Sequence, residues 1–102
     1  MDIQYYQGET ISFQMQGDST INLDTNDFVC LFYSYAGSPI IINKVDFVFI
    51  SPNVYSASIP NTTTKNMQLG RWTQEILYGT SQTSILKEDC FSILPSQSKN
   101  LI

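Results

Sequence analysis

The chain has 102 residues, of which 42% are hydrophobic and 14% charged, and its formal net charge is −4. This length suits one two-layer domain, and the composition excludes an intrinsically disordered chain, which would be more polar and more highly charged. Five cations against nine carboxylates also exclude the basic surface that binding to nucleic-acid phosphates requires. We therefore expect one folded domain whose partners are not nucleic acids.

Short apolar or alternating runs, separated by turn residues, predict β-strands along the first sixty residues. Residues 3–6 and 9–16 are predicted to form a first strand with a break at Gly8. The continuous apolar run 28–35 has the length of a strand buried in the middle of a sheet. Further strands are predicted at 20–23, 40–43, 45–50 and 54–59.

The second half of the chain continues this pattern after a polar, threonine-rich connection that follows Pro60. A glycine turn leads into an alternating run in which one face carries Trp72, Gln74, Ile76 and Tyr78. Closing strands are predicted at 83–86 and 91–94. The domain is predicted to span 1–95, with a polar tail at 96–102. About eight strands at this spacing predict an all-β fold, an immunoglobulin-like antiparallel β-sandwich of seven to eight strands.

The corner formed by Leu69, Gly70 and Trp72 is the most informative local signal in the sequence. A tight glycine turn that feeds an aromatic residue is typical of the start of the penultimate strand in an immunoglobulin-like sandwich. Trp72 is predicted to fill the end of the core, with its indole N–H bonded to a nearby carbonyl. The corner is therefore predicted to be structural.

No residue pattern predicts catalysis or a cofactor. The sequence contains no histidine, which excludes Ser-His-Asp and Cys-His nucleophilic catalysis and histidine-based zinc sites within this chain. The pairs Asp24 with Asp27 and Glu88 with Asp89 would need a cleft that separates their environments, which a sandwich of this size rarely offers. Asn22 to Asp27 opens like a calcium loop but lacks the glycine and glutamate that such a loop requires. The protein is therefore predicted not to be an enzyme, and to hold neither a metal nor a cofactor.

The two cysteines, Cys30 and Cys90, lie in different contexts, the first in an apolar run and the second after three charged residues. They are predicted to be buried or half-buried free thiols, because free cysteine behaves as a small core residue and cytosolic synthesis keeps thiols reduced. A disulfide between them remains an alternative.

Tyrosines are the candidate contact residues, since their rings can stack on sugars or anchor a protein partner. Most of the six are expected to pack in the core or to cover its edge. Tyr35 and Tyr78 each lie next to a glycine-containing turn and are predicted to be the most exposed. They are the candidate contact residues for a protein or a glycan.

The amino-terminal segment has neither the basic nor the apolar region of a signal peptide. No apolar run approaches the roughly 20 residues that a membrane-spanning helix needs. We therefore expect synthesis in the cytoplasm without a signal peptide, and no membrane partner.

Three short segments resemble the small immunoglobulin-like modules of bacteriophage virions: Gln7 to Thr10, Leu69 to Trp72 with Glu75 and Ile76, and Lys87 to Ile93. In plan the chain is similar to the amino-terminal domains of phage baseplate upper proteins. This resemblance implies a non-enzymatic assembly or adhesion module of a phage or prophage tail, baseplate or fibre, made in the bacterial cytoplasm and located in the virion. It implies other virion subunits or further copies of the chain as partners, and a homo-oligomer in the full assembly. The alternative is a carbohydrate-binding sandwich that contacts a glycan, such as one on a host surface, through exposed tyrosines.

Overall fold

The structure, a computed structural model, describes residues 3–35 and 38–96. Within these ranges a short 3₁₀ turn (Lys44–Asp46) and a one-turn helix, α1 (Asn61–Thr64), connect eight strands. The strands are β1 (Gln4–Tyr6), β2 (Ile11–Gln16), β3 (Phe28–Ser34), β4 (Ile40–Asn43), β5 (Val48–Ser51), β6 (Val54–Ile59), β7 (Gly70–Tyr78) and β8 (Thr83–Leu94). The all-β prediction is confirmed. The predicted tail lies outside the described residues except for Ser96.

The strands form a five-stranded sheet in the order β1-β8-β7-β3-β4 and a three-stranded sheet in the order β2-β6-β5. The orders β8-β7-β3-β4 and β2-β6-β5 match the G-F-C-C′ and B-E-D strands of immunoglobulin domains, with β1 added beside β8, which confirms the predicted sandwich. All pairs are antiparallel except β1 with β8, which is parallel. Both sheets end in open edges, because nothing in the described part of the chain pairs beyond β4 or β5.

The core between the sheets is built on aromatic rings. Alternate residues of β3, namely Phe28, Cys30 and Phe32, point inward and are fully buried. Phe28 meets Phe47 edge-to-face at 5.1 Å between ring centroids, and Phe32 meets Phe13 at the same distance. Burying each such ring contributes roughly 1.5 to 3 kcal/mol, so the aromatic residues contribute a large part of the core's stability.

The predicted strand at 20–23 is wrong, because the side chain of Asn53 takes the place of a neighbouring strand. Its Oδ1 accepts the N–H of Leu23 at 2.6 Å, and its Nδ2 donates to the carbonyl of Ile21 at 2.9 Å. The approach is so close that a Cβ on Gly17 would overlap both Asn53 and the Ile21 carbonyl. The segment is therefore a folded loop fixed to the start of β6.

Other strand boundaries also differ from the prediction. The predicted first strand divides at Gly8 into β1 and β2, which lie in different sheets. The predicted strand at 45–50 begins as the 3₁₀ turn and becomes extended at Val48. The two predicted closing strands are one continuous strand, β8, whose register against β7 shifts at two bulges. Each difference between a predicted and an observed boundary is determined by the strand with which the segment pairs.

Candidate functional site

The corner at the start of β7 closes one end of the core. Trp72 is buried, stacks on Phe91 at 6.5 Å between ring centroids, and donates its indole N–H to the carbonyl of Gln68 at 2.8 Å. This bond to a carbonyl four residues upstream resembles the tyrosine corner of immunoglobulin domains. Gly70 has a φ of +104°, which favours glycine, whereas Leu69 is half exposed. The corner has the geometry of a structural element.

The two candidate contact tyrosines differ in their surroundings. Tyr35 is fully exposed at the end of β3. Tyr78 is half-buried, and its hydroxyl both accepts the N–H of Asn22 at 2.9 Å and donates to the Asn22 carbonyl at 3.2 Å. Tyr55 is buried, and Tyr5 packs edge-to-face on Phe91. Among the described tyrosines, Tyr35 alone has a fully open ring, so they form no coplanar exposed row.

Three of the four carboxylates in the two pairs contact donors of their own chain. Asp24 accepts the Tyr55 hydroxyl at 2.9 Å and the Asn53 N–H at 3.1 Å, and Asp27 accepts the N–H of Phe28 at 2.9 Å. Asp89 forms an exposed ion pair with Arg71 at 3.3 Å, a kind of contact that contributes little to stability. In the described ranges, no three His, Cys, Asp or Glu residues group as metal ligands would.

The ammonium group of Lys44 fixes the loop between β2 and β3, a contact that the sequence did not predict. The ammonium of Lys44 donates to the carbonyls of Leu23 at 2.7 Å, Asp24 at 3.2 Å and Asn26 at 2.8 Å. It also lies 5.6 Å from the ring centroid of Phe28 and 5.7 Å from that of Tyr55, within cation–π range. Because its donors are directed into the fold, this cation is not presented to a ligand.

The most unusual surface lies along the edge strands β4 and β5, one from each sheet. We call it the β4–β5 flank and define it by five apolar side chains that are 49% to 86% exposed: Ile41, Val45, Val48, Phe49 and Ile50. They belong to β4, the 3₁₀ turn and β5, which follow one another in the chain. Ile41 and Val48 line two clefts that meet at Asp46 and Ser58. The alternation of apolar and polar residues could not reveal the flank, because it does not show which strands lie at the edges of a sheet.

A shallow groove crosses the outer face of the small sheet. It encloses about 630 Å³, and its polar lining includes Ser12, Gln14, Ser56 and Ser58. Hydroxyl and amide groups can hydrogen-bond to sugar hydroxyls, but the one aromatic residue in the lining, Phe13, is half-buried against the core. The groove therefore lacks an open ring for stacking.

The opposite flank, between β2 and β8, is polar at its rim. Its cleft of about 660 Å³ has an apolar floor that includes Met15, Ile76 and Leu86, below Gln14, Gln16, Gln74 and Glu88. The free edge of β8 also exposes Lys87 and Asp89. This flank thus differs in character from the β4–β5 flank.

Both cysteines are free thiols, Cys30 buried and Cys90 half-buried, as predicted. Burial raises the pKa of Cys30 to about 11 and that of Cys90 to about 12. Gln74 donates to the Cys30 sulfur at 3.3 Å, and Cys90 donates to the carbonyl of Trp72 at 3.4 Å. Both are therefore protonated at neutral pH.

We expect iodoacetamide to label both thiols at least about a hundredfold more slowly in the folded protein than in denaturant at pH 8, because the thiolate is the reactive form. Mass spectrometry of time points would measure both rates. Cys30→Ala and Cys90→Ala would assign the labelling to single sites. Equal rates in the two states would contradict the burial of the thiols.

Two further observations concern the chain as a whole. None of the helices in the described residues is long and apolar enough to cross a membrane. No protein-family model matches the sequence, and no curated protein matches it.

Among solved structures, the fold is similar to part of a candidate glycoside hydrolase from Bacteroides vulgatus, with a TM-score of 0.61 and 10% sequence identity. The similarity covers 97% of this chain but 17% of that protein, so the chain spans a small part of the other protein's length. At this level of identity the likeness shows the fold alone.

Proposed function

We propose that the protein is a non-enzymatic structural module that assembles with other protein subunits, as a component of a phage or prophage tail, baseplate or fibre. The observation that carries the assembly role is the β4–β5 flank. The virion setting is supported by the resemblance of three short segments, Gln7 to Thr10, Leu69 to Trp72 and Lys87 to Ile93, to phage modules.

The flank supports this proposal because single exposed apolar residues are normal on a protein surface, whereas contiguous patches mark contacts. Five apolar side chains within residues 41–50, each about half exposed or more, lie along the neighbouring edges of the two sheets, and the clefts lined by Ile41 and Val48 share Asp46 and Ser58. A phenylalanine among aliphatic residues is typical of the centre of a protein interface. Covering them with a partner would remove this surface from water.

Other features fit an assembly role better than a catalytic one. Three of the four carboxylates that could act in pairs are bonded to donors of this chain, as Asp24 is to Tyr55 and Asn53. The ammonium of Lys44 points into the fold, where it donates to the carbonyls of Leu23 and Asn26. The acidic and basic side chains that could take part in a reaction therefore bond within the sandwich.

Size-exclusion chromatography with light scattering tests the proposal on the purified protein, alone and mixed with the products of genes that flank its own. We expect a mass above that of one chain in at least one of these samples. A monomer under every condition, with no complex, would count against an assembly module.

Carbohydrate binding is the competing proposal, and the polar groove of the small sheet is the feature that favours it. A glycan array probed with the protein, with Gln14→Ala and with Tyr35→Ala separates the two surfaces. We expect no glycan signal above background. A signal lost in Gln14→Ala would identify the groove as a sugar site, and a signal lost in Tyr35→Ala would identify the exposed ring.

A further inference from the structure

We infer that the β4–β5 flank is a self-association surface, and that the partner it fits is a second copy of this chain docked edge to edge about a two-fold axis. This inference rests on the proposed assembly function and adds to it a surface and a partner. Three features of the described residues carry it: a strand edge without charge or proline, the charged and polar rim of the opposite flank, and the small number of charges on the flank itself.

The edge of β5 carries no protective charge or proline, although the strand is four residues long and its register against β6 shifts between Phe49 and Ser51. Proteins prevent edge strands from pairing with other chains by making them short, by placing charges or proline on them, or by covering them. β5 reads Val-Phe-Ile-Ser and contains neither a charge nor a proline. Of the other edges, β1 has three residues, the open part of β8 carries Lys87, Glu88 and Asp89, and β2, which also lacks charge and proline, exposes a serine and glutamines. The uncharged edges of β4 and β5 coincide with the apolar flank.

The partner surface must itself be apolar, because burying an unpaired charge against this flank would be costly. The opposite flank of the same protein does not meet this condition, since it presents three charged residues of β8 and glutamines of β2. A head-to-tail contact between copies is therefore unfavourable. In a two-fold contact the same patch serves both subunits, so each apolar strip meets an identical one.

The charge distribution also favours this face for contact between copies. Each chain has a net charge of −4, so two copies repel each other at long range. Asp46 is the exposed charged residue on the flank, and the neighbouring cation of Lys44 is bonded to loop carbonyls. Contact through this face therefore brings few like charges together.

The contact is large enough for a modest dimer. Five side chains with this exposure form a patch on the order of 500 Å², at the upper end of what monomers leave uncovered. The edge backbone and a polar rim bring the contact toward the roughly 800 Å² per subunit of a standard interface. Antiparallel pairing of two β5 strands would also join two three-stranded sheets into one. We expect a dissociation constant in about the micromolar range.

Sedimentation equilibrium across micromolar concentrations tests the inference on the full chain, with Val48→Lys as the disrupting variant. Val48 is 60% exposed, so a lysine there should fold normally, and circular dichroism would verify this. We expect the parent protein to dimerise, and the dissociation constant of Val48→Lys to rise at least about tenfold. The matched control, Ile85→Lys, adds the same charge on β8 and should dimerise like the parent protein.

Asp46→Asn provides a second variant with the opposite expected result. Removing this charge from both subunits should lower the dissociation constant, because two like charges no longer approach each other.

A parent protein that stays monomeric, or a Val48→Lys variant that dimerises as before, would overturn the inference. If such a protein still binds a neighbouring gene product, the assembly proposal stands and only the self-association surface is wrong. If neither contact forms, both are wrong.

Discussion

The Trp72→Ala variant is expected to show a free energy of unfolding about 3 to 5 kcal/mol below that of the parent protein. The substitution removes a buried ring that stacks on Phe91, and it leaves the Gln68 carbonyl without its indole donor. The cavity would lie at the end of the core that the corner closes. Urea unfolding followed by circular dichroism measures the difference.

Trp72→Phe is the matched control for this prediction. Phenylalanine retains a ring against Phe91 but cannot donate to Gln68, so the loss should be smaller than for alanine. The difference between the two variants separates the filling of the core from the hydrogen bond. A Trp72→Ala variant as stable as the parent protein would show that the ring does not support the core.

The Asn53→Ala variant is the second with a large expected effect, a loss of about 3 kcal/mol in the free energy of unfolding. Alanine cannot bond to the N–H of Leu23 or to the carbonyl of Ile21, and the backbone of residue 53 has a φ of +65°, which disfavours alanine. Leu23 is itself buried, so its N–H would lose its partner away from water. Thermal and urea unfolding measure the loss.

Asn53→Gly is the control that separates the side-chain bonds of Asn53 from its backbone conformation. Glycine removes the three bonds that the amide makes, to the N–H of Leu23 and to the carbonyls of Ile21 and Asp18, but it adopts a φ of +65° without steric cost. Because the bonds account for most of the loss, we expect Asn53→Gly to be nearly as destabilised as Asn53→Ala. A glycine variant as stable as the parent protein would show that the backbone conformation, and not the side-chain amide, determines the effect.

The sequence predicts the fold class well because its signals are local. Alternation along β6 and β7, and the apolar run that became β3, depend on residues within a few positions of each other. The corner is equally local, since Trp72 bonds to a carbonyl four residues before it. Such features can be recognised without knowing which strands become neighbours.

The errors arise where distant residues decide the structure. Residues 20–23 alternate like a strand, but Asn53, 30 positions beyond Leu23, occupies the backbone groups that a strand would use. The 3₁₀ turn begins at Lys44, whose ammonium donates to the carbonyls of Leu23 and Asn26, 21 and 18 positions earlier in the chain. The β4–β5 flank depends on strand order, because the same apolar residues in a central strand would be covered. Pairing across the chain is the information that a single sequence does not provide.

The parallel pairing of β1 with β8 determines how the sandwich would respond to mechanical load. The N–H of Ser92 donates to the carbonyl of Ile3, and the N–H of Gln7 donates to that of Leu94, each at 2.9 Å. If residues 3 and 96 were pulled apart, the two parallel strands would slide along each other, and their hydrogen bonds would be loaded together in shear and not opened one after another. The lifetime under tension would then be set by the rate at which this short pair ruptures. The sandwich would thus resist extension at its ends before its core is exposed.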